Sequence, residues 1–237
     1  MGRLRHWKGW KHPAGRFVWE HVRPFAFLTL VLFAARSSLA DWNDVPTGSM
    51  NPTILEGDRI FVNKLAYDLK VPFTTWRVAR WSDPAPGEVV IFYSPVDGER
   101  MVKRVAGGPG DTVQMIDERL VVNGRPVQYG PADPAAVADF PPTRRSGHEF
   151  GTESLAGHDH PVMQTPALPA RRNFGPITVP PGKYLLLGDN RDNSYDSRYW
   201  GFVDRNQIVG RAAGVVYSLD PERSHQPRWG RVFQSMP

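Results

Sequence analysis

The sequence predicts a mainly β protein preceded by one N-terminal helix, and three features support this fold class. The 237 residues include 23 prolines and 22 glycines, too many for a helical bundle and typical of short strands joined by turns. Short segments with alternating apolar residues recur from residue 59 onward, each bounded by turn-forming residues. The N-terminal region instead carries a continuous apolar run, which favours a helix.

The composition excludes several kinds of site. Cysteine is absent, so disulfides and thiolate metal sites are impossible. No nucleic-acid recognition signature accompanies the modest net charge of +5, which argues against nucleic acid as a partner. His158 and His160 flank Asp159, but no third ligand is indicated, and we expect neither a metal nor another cofactor.

The N-terminal region resembles a membrane anchor. Residues 1–23 form a basic segment, which the positive-inside rule places in the cytoplasm. Its charged residues are Arg3, Arg5, Lys8, Lys11, Arg16 and Arg23 against Glu20. Residues 24–40 are apolar but shorter than the ~20 residues of a spanning helix, so the span requires flanking charges to lie near the interfaces. We expect a single-pass anchor with everything after Asp41 outside the cytoplasm.

Two alternatives remain for the same segment. A cleavable secretory signal also has a basic start, a short apolar region and small residues such as Ser38-Leu39-Ala40 before the cut. That alternative likewise places the body outside the cytoplasm. A buried core helix is the second alternative, although the flanking charges disfavour it.

The body is predicted to consist of short strands in chain order. They cover residues 59–63, 88–93, 101–106, 119–122, 125–127, 183–187 and 212–217. Asn123-Gly124 joins two of them and is the strongest two-residue hairpin signal. Between residues 129 and 177 the alternation fades, which predicts a loop-rich insertion. The tail, residues 220–237, mixes basic and aromatic side chains and is interpreted either as resting on an anionic membrane or as solvated.

Lys103 is a candidate general base. On a strand it shares one face with Met101 and Val105, whereas Arg104 points to the other face. Burial on an apolar face lowers the pKa of an amine, and moving it from ~10.4 to near 7 requires about 4 kcal/mol. The alternative is an edge-strand lysine that reaches solvent.

Ser49 is a candidate nucleophile within Pro46-Thr47-Gly48-Ser49-Met50-Asn51-Pro52-Thr53. Gly48 permits close backbone approach, and the Thr47 hydroxyl and the Ser49 N–H can both point at an oxyanion. No histidine is near it in sequence, so a lysine is the available base. A Gly-Ser pair between prolines is also ordinary turn chemistry.

A polar loop, residues 188–198, follows the strand at 183–187. Its alternating Asp192, Ser194 and Asp196 resemble calcium ligands, but Ser197 and Val203 stand where an EF-hand needs glycine and glutamate. The loop is better explained as a hydrogen-bond network in which Asp and Arg pair.

Three blocks together resemble the bacterial type I signal peptidases. They are Pro46 to Thr53, Val102-Lys103-Arg104-Val105 with Gly107 to Asp111, and Gly188 to Arg198. The resemblance extends from about Val45 to Tyr217 and is interrupted by the insertion. It implies a membrane-bound Ser-Lys endopeptidase that cuts signal peptides from exported preproteins on the outer side of the cytoplasmic (inner) membrane.

The resemblance also implies roles for individual residues. Ser49 would be the nucleophile, Lys103 the general base, and the Ser49 N–H and Thr47 hydroxyl the oxyanion hole. Ser194 would orient Lys103 by a hydrogen bond. The supporting residues would be Asp189, Arg104, Asp196 and Arg198. Val45 and Val102 would line shallow pockets for small substrate residues, although the polar Asn43 and Asp44 depart from the family pattern at the rim.

The implied fold is a catalytic lobe of antiparallel strands with an inserted second β lobe. We expect the catalytic domain over residues 41–111 and 178–219, and the inserted, loop-rich lobe over 112–177. The expected partners are signal peptides of preproteins and membrane lipid. Two alternatives stay open: a specialised Ser-Lys peptidase of conjugation or pilus assembly, and a catalytically idle β domain that binds extended peptides.

Overall fold

The computed structural model describes residues 18–74 and 76–237. Most of the basic segment predicted over residues 1–23 lies outside the described residues. A π-helical turn, Val18–Val22, leads into helix α1, Arg23–Ser38, which begins with Pro24 in its first turn, where proline is tolerated.

Helix α1 exposes its large apolar side chains on most of its surface. Phe25, Leu28 and Phe33 are all more than half exposed. We expected a membrane anchor over residues 24–40; within residues 18–74 and 76–237, the helices lack the combination of length and apolar character that crossing a membrane requires. The helix ends where Lys64 Nζ donates to the carbonyls of Arg36 and Ser37, at 3.2 and 3.0 Å.

The strands follow α1 in two groups. The first group comprises β1 (Ala40–Asp44), β2 (Asp58–Asn63), β3 (Asp68–Lys70), β4 (Arg77–Arg80), β5 (Val89–Tyr93), β6 (Arg100–Gly107), β7 (Thr112–Ile116), β8 (Arg119–Val122) and β9 (Arg125–Pro126). The second comprises β10 (Gln128–Pro131), β11 (Glu149–Leu155), β12 (His158–Gln164), β13 (Phe174–Thr178), β14 (Lys183–Leu187), β15 (Val203–Asp204), β16 (Ile208–Asp220) and β17 (Gln226–Pro227). A four-residue helix, α2 (Ser197–Trp200), precedes β15.

The fold class predicted from the sequence is confirmed in its coarse form: the protein is mainly β, with antiparallel ladders and one N-terminal helix. The largest sheet has the strand order β1-β2-β16-β5-β6-β14-β15, with β17 added to β16. Strand β1 is therefore an edge strand, and β6 lies between β5 and β14. Strands β7, β8, β9 and β13 form a second sheet, and β10, β11 and β12 a third.

One core cluster links the sheet to the segment that carries Ser49. Val45, Met50 and Val102 are buried in it together with Ile60 and Val62 of β2. Packing on the sheet therefore fixes the polypeptide on both sides of Ser49. The Asn123-Gly124 hairpin forms as predicted, with positive φ angles of 52° and 74° at its two turn residues.

One interpretation of the sequence is wrong at the level of elements, and another is incomplete. Residues 129–177 are not loop-rich throughout, because β11 and β12 pair over seven residues each. The tail is mostly exposed but is attached to the large sheet: β17 pairs with β16, Gly214 forms a bridge with Ser235, and Met236 packs against the core. Trp229 and Phe233 of the tail are exposed.

Candidate active site

Ser49 and Lys103 meet in one cleft. Ser49 lies in a short 3₁₀ turn, Gly48–Met50, and Lys103 lies in the middle of β6. Lys103 Nζ is 2.6 Å from Ser49 Oγ and donates to the Val102 carbonyl at 3.1 Å. The turn is held because the Met50 side chain is buried beneath it and the Asn51 N–H donates to the Gly48 carbonyl.

The Lys103 side chain is only 2% exposed. Burial lowers the pKa of Lys103 to about 8, whereas the nearby carboxylates of Asp196 and Asp189 act in the opposite direction. The pKa of Lys103 is lowered, as expected from the alternation of side chains on β6, but it stays above the value near 7 that the sequence analysis discussed. A large neutral fraction of the amine is therefore available near pH 8 to accept a proton from the serine hydroxyl.

The cleft has a volume of about 330 Å³ and is lined mainly by residues 43–50 and 99–103. Thr47, Ser49, Val45 and Val102 all lie on its wall, as the resemblance implied. The two valines are buried, so each presents only a small apolar area to the cleft. Such a surface suits small side chains, because the two valines are themselves packed into the core beneath it.

Asp189 and Arg104 form a buried ion pair behind Ser49 and Lys103. Arg104 donates through Nε and Nη2 to the two carboxylate oxygens of Asp189, at 2.9 and 2.8 Å. Burial raises the pKa of Asp189, but the Arg104 guanidinium outweighs it and holds that pKa below its usual value. Thr53 Oγ1 also donates to Asp189, at 2.5 Å, which connects the pair to the segment that follows Ser49.

Asp196 and Arg198 stabilise the loop that faces Lys103. Asp196 caps α2 by accepting from the Arg198 N–H at 3.2 Å, and its carboxylate also pairs with the Arg198 guanidinium at 2.8 Å. The Gly188 N–H donates to the same carboxylate at 3.1 Å. Both charged side chains are buried, so the pair fixes the loop rather than contacting solvent.

Ser194 does not form the hydrogen bond expected of it. Its hydroxyl is buried, and within the described part of the chain it has no hydrogen-bond partner. Lys103 Nζ is instead engaged by Ser49 Oγ and the Val102 carbonyl. Ser194 Oγ lies against Gly188, where an added Cβ would be only 2.2 Å away.

Asn190 and Gly188 are contributors that the residue assignments missed. Asn190 donates through its N–H to the Ser49 carbonyl at 3.2 Å and through Nδ2 to the Gly48 carbonyl at 2.9 Å. A Cβ at Gly188 would stand 2.4 Å from the Ser49 carbonyl oxygen, so only glycine fits there. Both residues belong to the third sequence block, but nothing in their spacing indicates contact with residues 48 and 49.

The histidine pair does not form a metal centre. His160 is buried with Nε2 3.2 Å from Glu153 Oε1, whereas His158 is exposed. Within residues 18–74 and 76–237, no three His, Cys, Asp or Glu side chains are grouped to hold a metal ion.

The chain is similar to known proteins over most of its length. The family model described as "Signal peptidase, peptidase S26" matches residues 18–217. Signal peptidase I of Pseudomonas fluorescens and that of Pseudomonas aeruginosa are each 37% identical over 222 residues, covering 88% of this chain and 75% of each relative. Signal peptidase I of Rickettsia typhi is 33% identical, covering 85% of this chain and 81% of that relative.

A solved structure is similar as well. The crystal structure of a signal peptidase I from Enterococcus faecalis is 32% identical, covers 55% of this chain and 97% of that chain, and has a TM-score of 0.35. The family match spans most of the sequence, and the Pseudomonas relatives exceed 30% identity over more than two thirds of it. The chain therefore belongs to the signal peptidase family, peptidase S26.

Proposed function

We propose that this protein is a serine endopeptidase that removes signal peptides from exported preproteins, with Ser49 as nucleophile and Lys103 as general base. The observation that carries the proposal is the 2.6 Å contact between Ser49 Oγ and the buried amine of Lys103. Burial is needed because an exposed lysine would stay protonated at neutral pH and could not accept the serine proton.

The proposed reaction proceeds by acyl transfer. Neutral Lys103 Nζ accepts the proton of Ser49 Oγ as that oxygen attacks the scissile carbonyl. The Ser49 N–H and the Thr47 hydroxyl stabilise the developing oxyanion. The Lys103 ammonium then donates its proton to the leaving amine of the peptide. Lys103, neutral again, next accepts a proton from the water that hydrolyses the acyl-enzyme.

The proposed substrate is an extended peptide with small residues before the cut. Val45 and Val102 offer an apolar but shallow surface, so a long side chain there would have to displace the core. Buried Asp189, Arg104, Asp196 and Arg198 support the site from behind and do not line the cleft.

We further propose that the protein works at the bacterial cytoplasmic membrane with its β body on the extracytoplasmic side. The signal peptidase I family is membrane-associated in general. The exposed apolar side chains of α1 support contact with lipid, because water does not favour such a surface. Neither nucleic acid nor a cofactor has a role in the proposed reaction.

The test is cleavage of a model preprotein in detergent. We expect Ser49→Ala and Lys103→Ala each to reduce cleavage by at least about a thousandfold, as removal of a nucleophile or its base does in other serine hydrolases. Lys183→Ala is the matched control, since Lys183 pairs with Asp204 at the surface. Retained activity in either dyad variant would contradict the proposed roles, provided that circular dichroism shows the variants folded.

A further inference from the structure

An apolar groove separates α1 from the edge of the large sheet. It has a volume of about 440 Å³, and its apolar walls are Leu32 and Phe33 of α1 with Ala40, Trp42 and Phe61 of β1 and β2. Trp42 and Phe61 are register partners on adjacent strands. Phe33 is 56% exposed and Phe61 41%, so neither wall is covered by the rest of the described chain.

Polar contacts hold the two walls of this groove in a fixed relation. Lys64 Nζ donates to two carbonyls at the end of α1 and lies 3.4 Å from the Asp41 carboxylate. Arg36 donates to Asp41 at 3.1 Å and stacks over the Trp42 ring at 4.3 Å. The groove is therefore built by side chains that join helix to sheet.

The groove adjoins the catalytic cleft. Asp41 lines the groove, Arg100 lines the cleft, and their side chains form an ion pair at 3.0 Å. Strand β1 also leads from the groove to the cleft. Ala40 lines the groove, and Val45, five residues further on, lines the cleft, a separation of about 17 Å along an extended chain. A peptide extended beside β1 from the cleft would reach the groove with residues about five positions before its cleaved bond.

We propose that this groove binds the apolar segment of the substrate, so that the site recognises an apolar stretch upstream as well as small residues at the cut. The inference rests on the proposed function. A secretory signal carries an apolar stretch of about 7–15 residues before its small-residue cleavage site. The groove supplies an apolar surface of matching character on the path that such a peptide follows from the cleft.

The test compares two synthetic peptides with the same cleavage-site residues. One carries an apolar Leu-Ala segment of about ten residues before the site, and the other a Ser-Gly segment of equal length. In a lipid-free assay, Phe61→Ser and Phe33→Ser should lower kcat/KM about tenfold for the apolar peptide and leave the Ser-Gly peptide unchanged, because only the former loses apolar burial. Ile116→Ser is the matched control, since Ile116 is similarly exposed on β7 of the inserted lobe.

The outcomes separate this inference from the function on which it rests. Equal effects of Phe61→Ser on the two peptides, or no effect on either, would overturn the groove proposal and leave the peptidase proposal intact. The same conclusion would follow if Phe61→Ser weakened only binding to phospholipid vesicles, because the occupant would then be lipid. Failure of the wild-type protein to cleave either peptide would overturn both proposals.

Discussion

At the scale of the residue, Lys103 shows how a fold can lower the pKa of a lysine. The strand places its amine 2.6 Å from Ser49 Oγ while excluding water from it. Desolvation is the largest influence on its pKa and outweighs the two acidic groups behind it. The carboxylates are partly neutralised by Arg104 and Arg198, so they attract the ammonium less than free carboxylates would.

The pH profile of cleavage follows from this lysine. Only the neutral amine can act as base, so kcat/KM should be low in acid and rise with pH to a plateau, with an apparent pKa of about 8. The measurement is kcat/KM between pH 5 and about 9.5, with a peptide that has no titratable group in this range. A lysine with the ordinary pKa of about 10.4 would remain mostly charged throughout it. Lys183→Met should leave the midpoint unchanged. A kcat/KM that still rises tenfold per pH unit at pH 9.5, with no approach to a plateau, would contradict a buried base.

The sequence indicates Ser49 and Lys103 as candidate residues, but the contacts that hold them could not be predicted from it. Strand alternation predicts the burial of the Lys103 amine, whereas the roles of both residues are assigned by the resemblance of the three blocks to the signal peptidases. Asn190 instead hydrogen-bonds to the carbonyls of Gly48 and Ser49, which lie 142 and 141 residues earlier in the chain. No local sequence pattern indicates contacts over that separation. The expected Ser194 bond failed because the position of one hydroxyl depends on a rotamer and on how closely Gly188 packs.

At the scale of the element, strands β11 and β12 hold the loop that carries Asp189. Met163 of β12 donates to the Asp189 carbonyl at 2.9 Å and accepts from the Arg191 N–H at 2.8 Å. The Arg191 guanidinium in turn pairs with Glu153 of β11 at 2.6 Å. Asn190 lies between these two anchored residues and hydrogen-bonds to the turn that carries Ser49.

Loss of the Glu153 charge should therefore affect both stability and catalysis. Glu153→Gln leaves a buried guanidinium without its carboxylate, which costs about 3–5 kcal/mol in comparable sites. Urea denaturation should show this loss, and kcat should fall with little change in KM, since the affected loop supports the turn rather than the substrate surface. Adding Arg191→Met should recover much of the stability. Glu149→Gln, exposed on the same strand, is the control, and equal midpoints for the two single variants would contradict the argument.

The same residues explain why the sequence did not reveal β11 and β12. Glu153 and His160 occupy inward positions where an apolar residue would signal a strand. Burial alone would raise the pKa of Glu153, but Arg191 lies far along the chain, and the charge of its guanidinium lowers that pKa to about 2. Where ion pairs replace apolar contacts, hydrophobic alternation disappears although the strand remains. The Asn123-Gly124 hairpin was predictable because its signal is local.

At the scale of the whole molecule, the tail is joined to the largest sheet by strand pairing and by a buried ion pair. Its basic residues suggested a membrane surface or solvent, yet Arg231 is buried and pairs with Asp58 at 2.6 Å. The same guanidinium donates to the Thr53 carbonyl at 2.9 Å, next to the side chain that supports Asp189. Arg231 and Asp58 are more than 170 residues apart in the sequence, so their pairing cannot be predicted from composition, which shows only that the tail is basic.

Arg231 should consequently be essential to the stability of the largest sheet and of the segments packed on it. Arg231→Met removes the partner of the Asp58 carboxylate, which is fully buried, and should lower the free energy of unfolding by about 3–5 kcal/mol. Arg223→Met is the matched control, because Arg223 is exposed and its nearest carboxylate is 3.9 Å away; its effect should stay below about 0.5 kcal/mol. Thermal and urea denaturation of both variants measure the difference. Similar unfolding midpoints for the two would mean that the tail is not an integral part of the fold, whereas selective loss in Arg231→Met would place the tail within the same cooperative unit as Ser49.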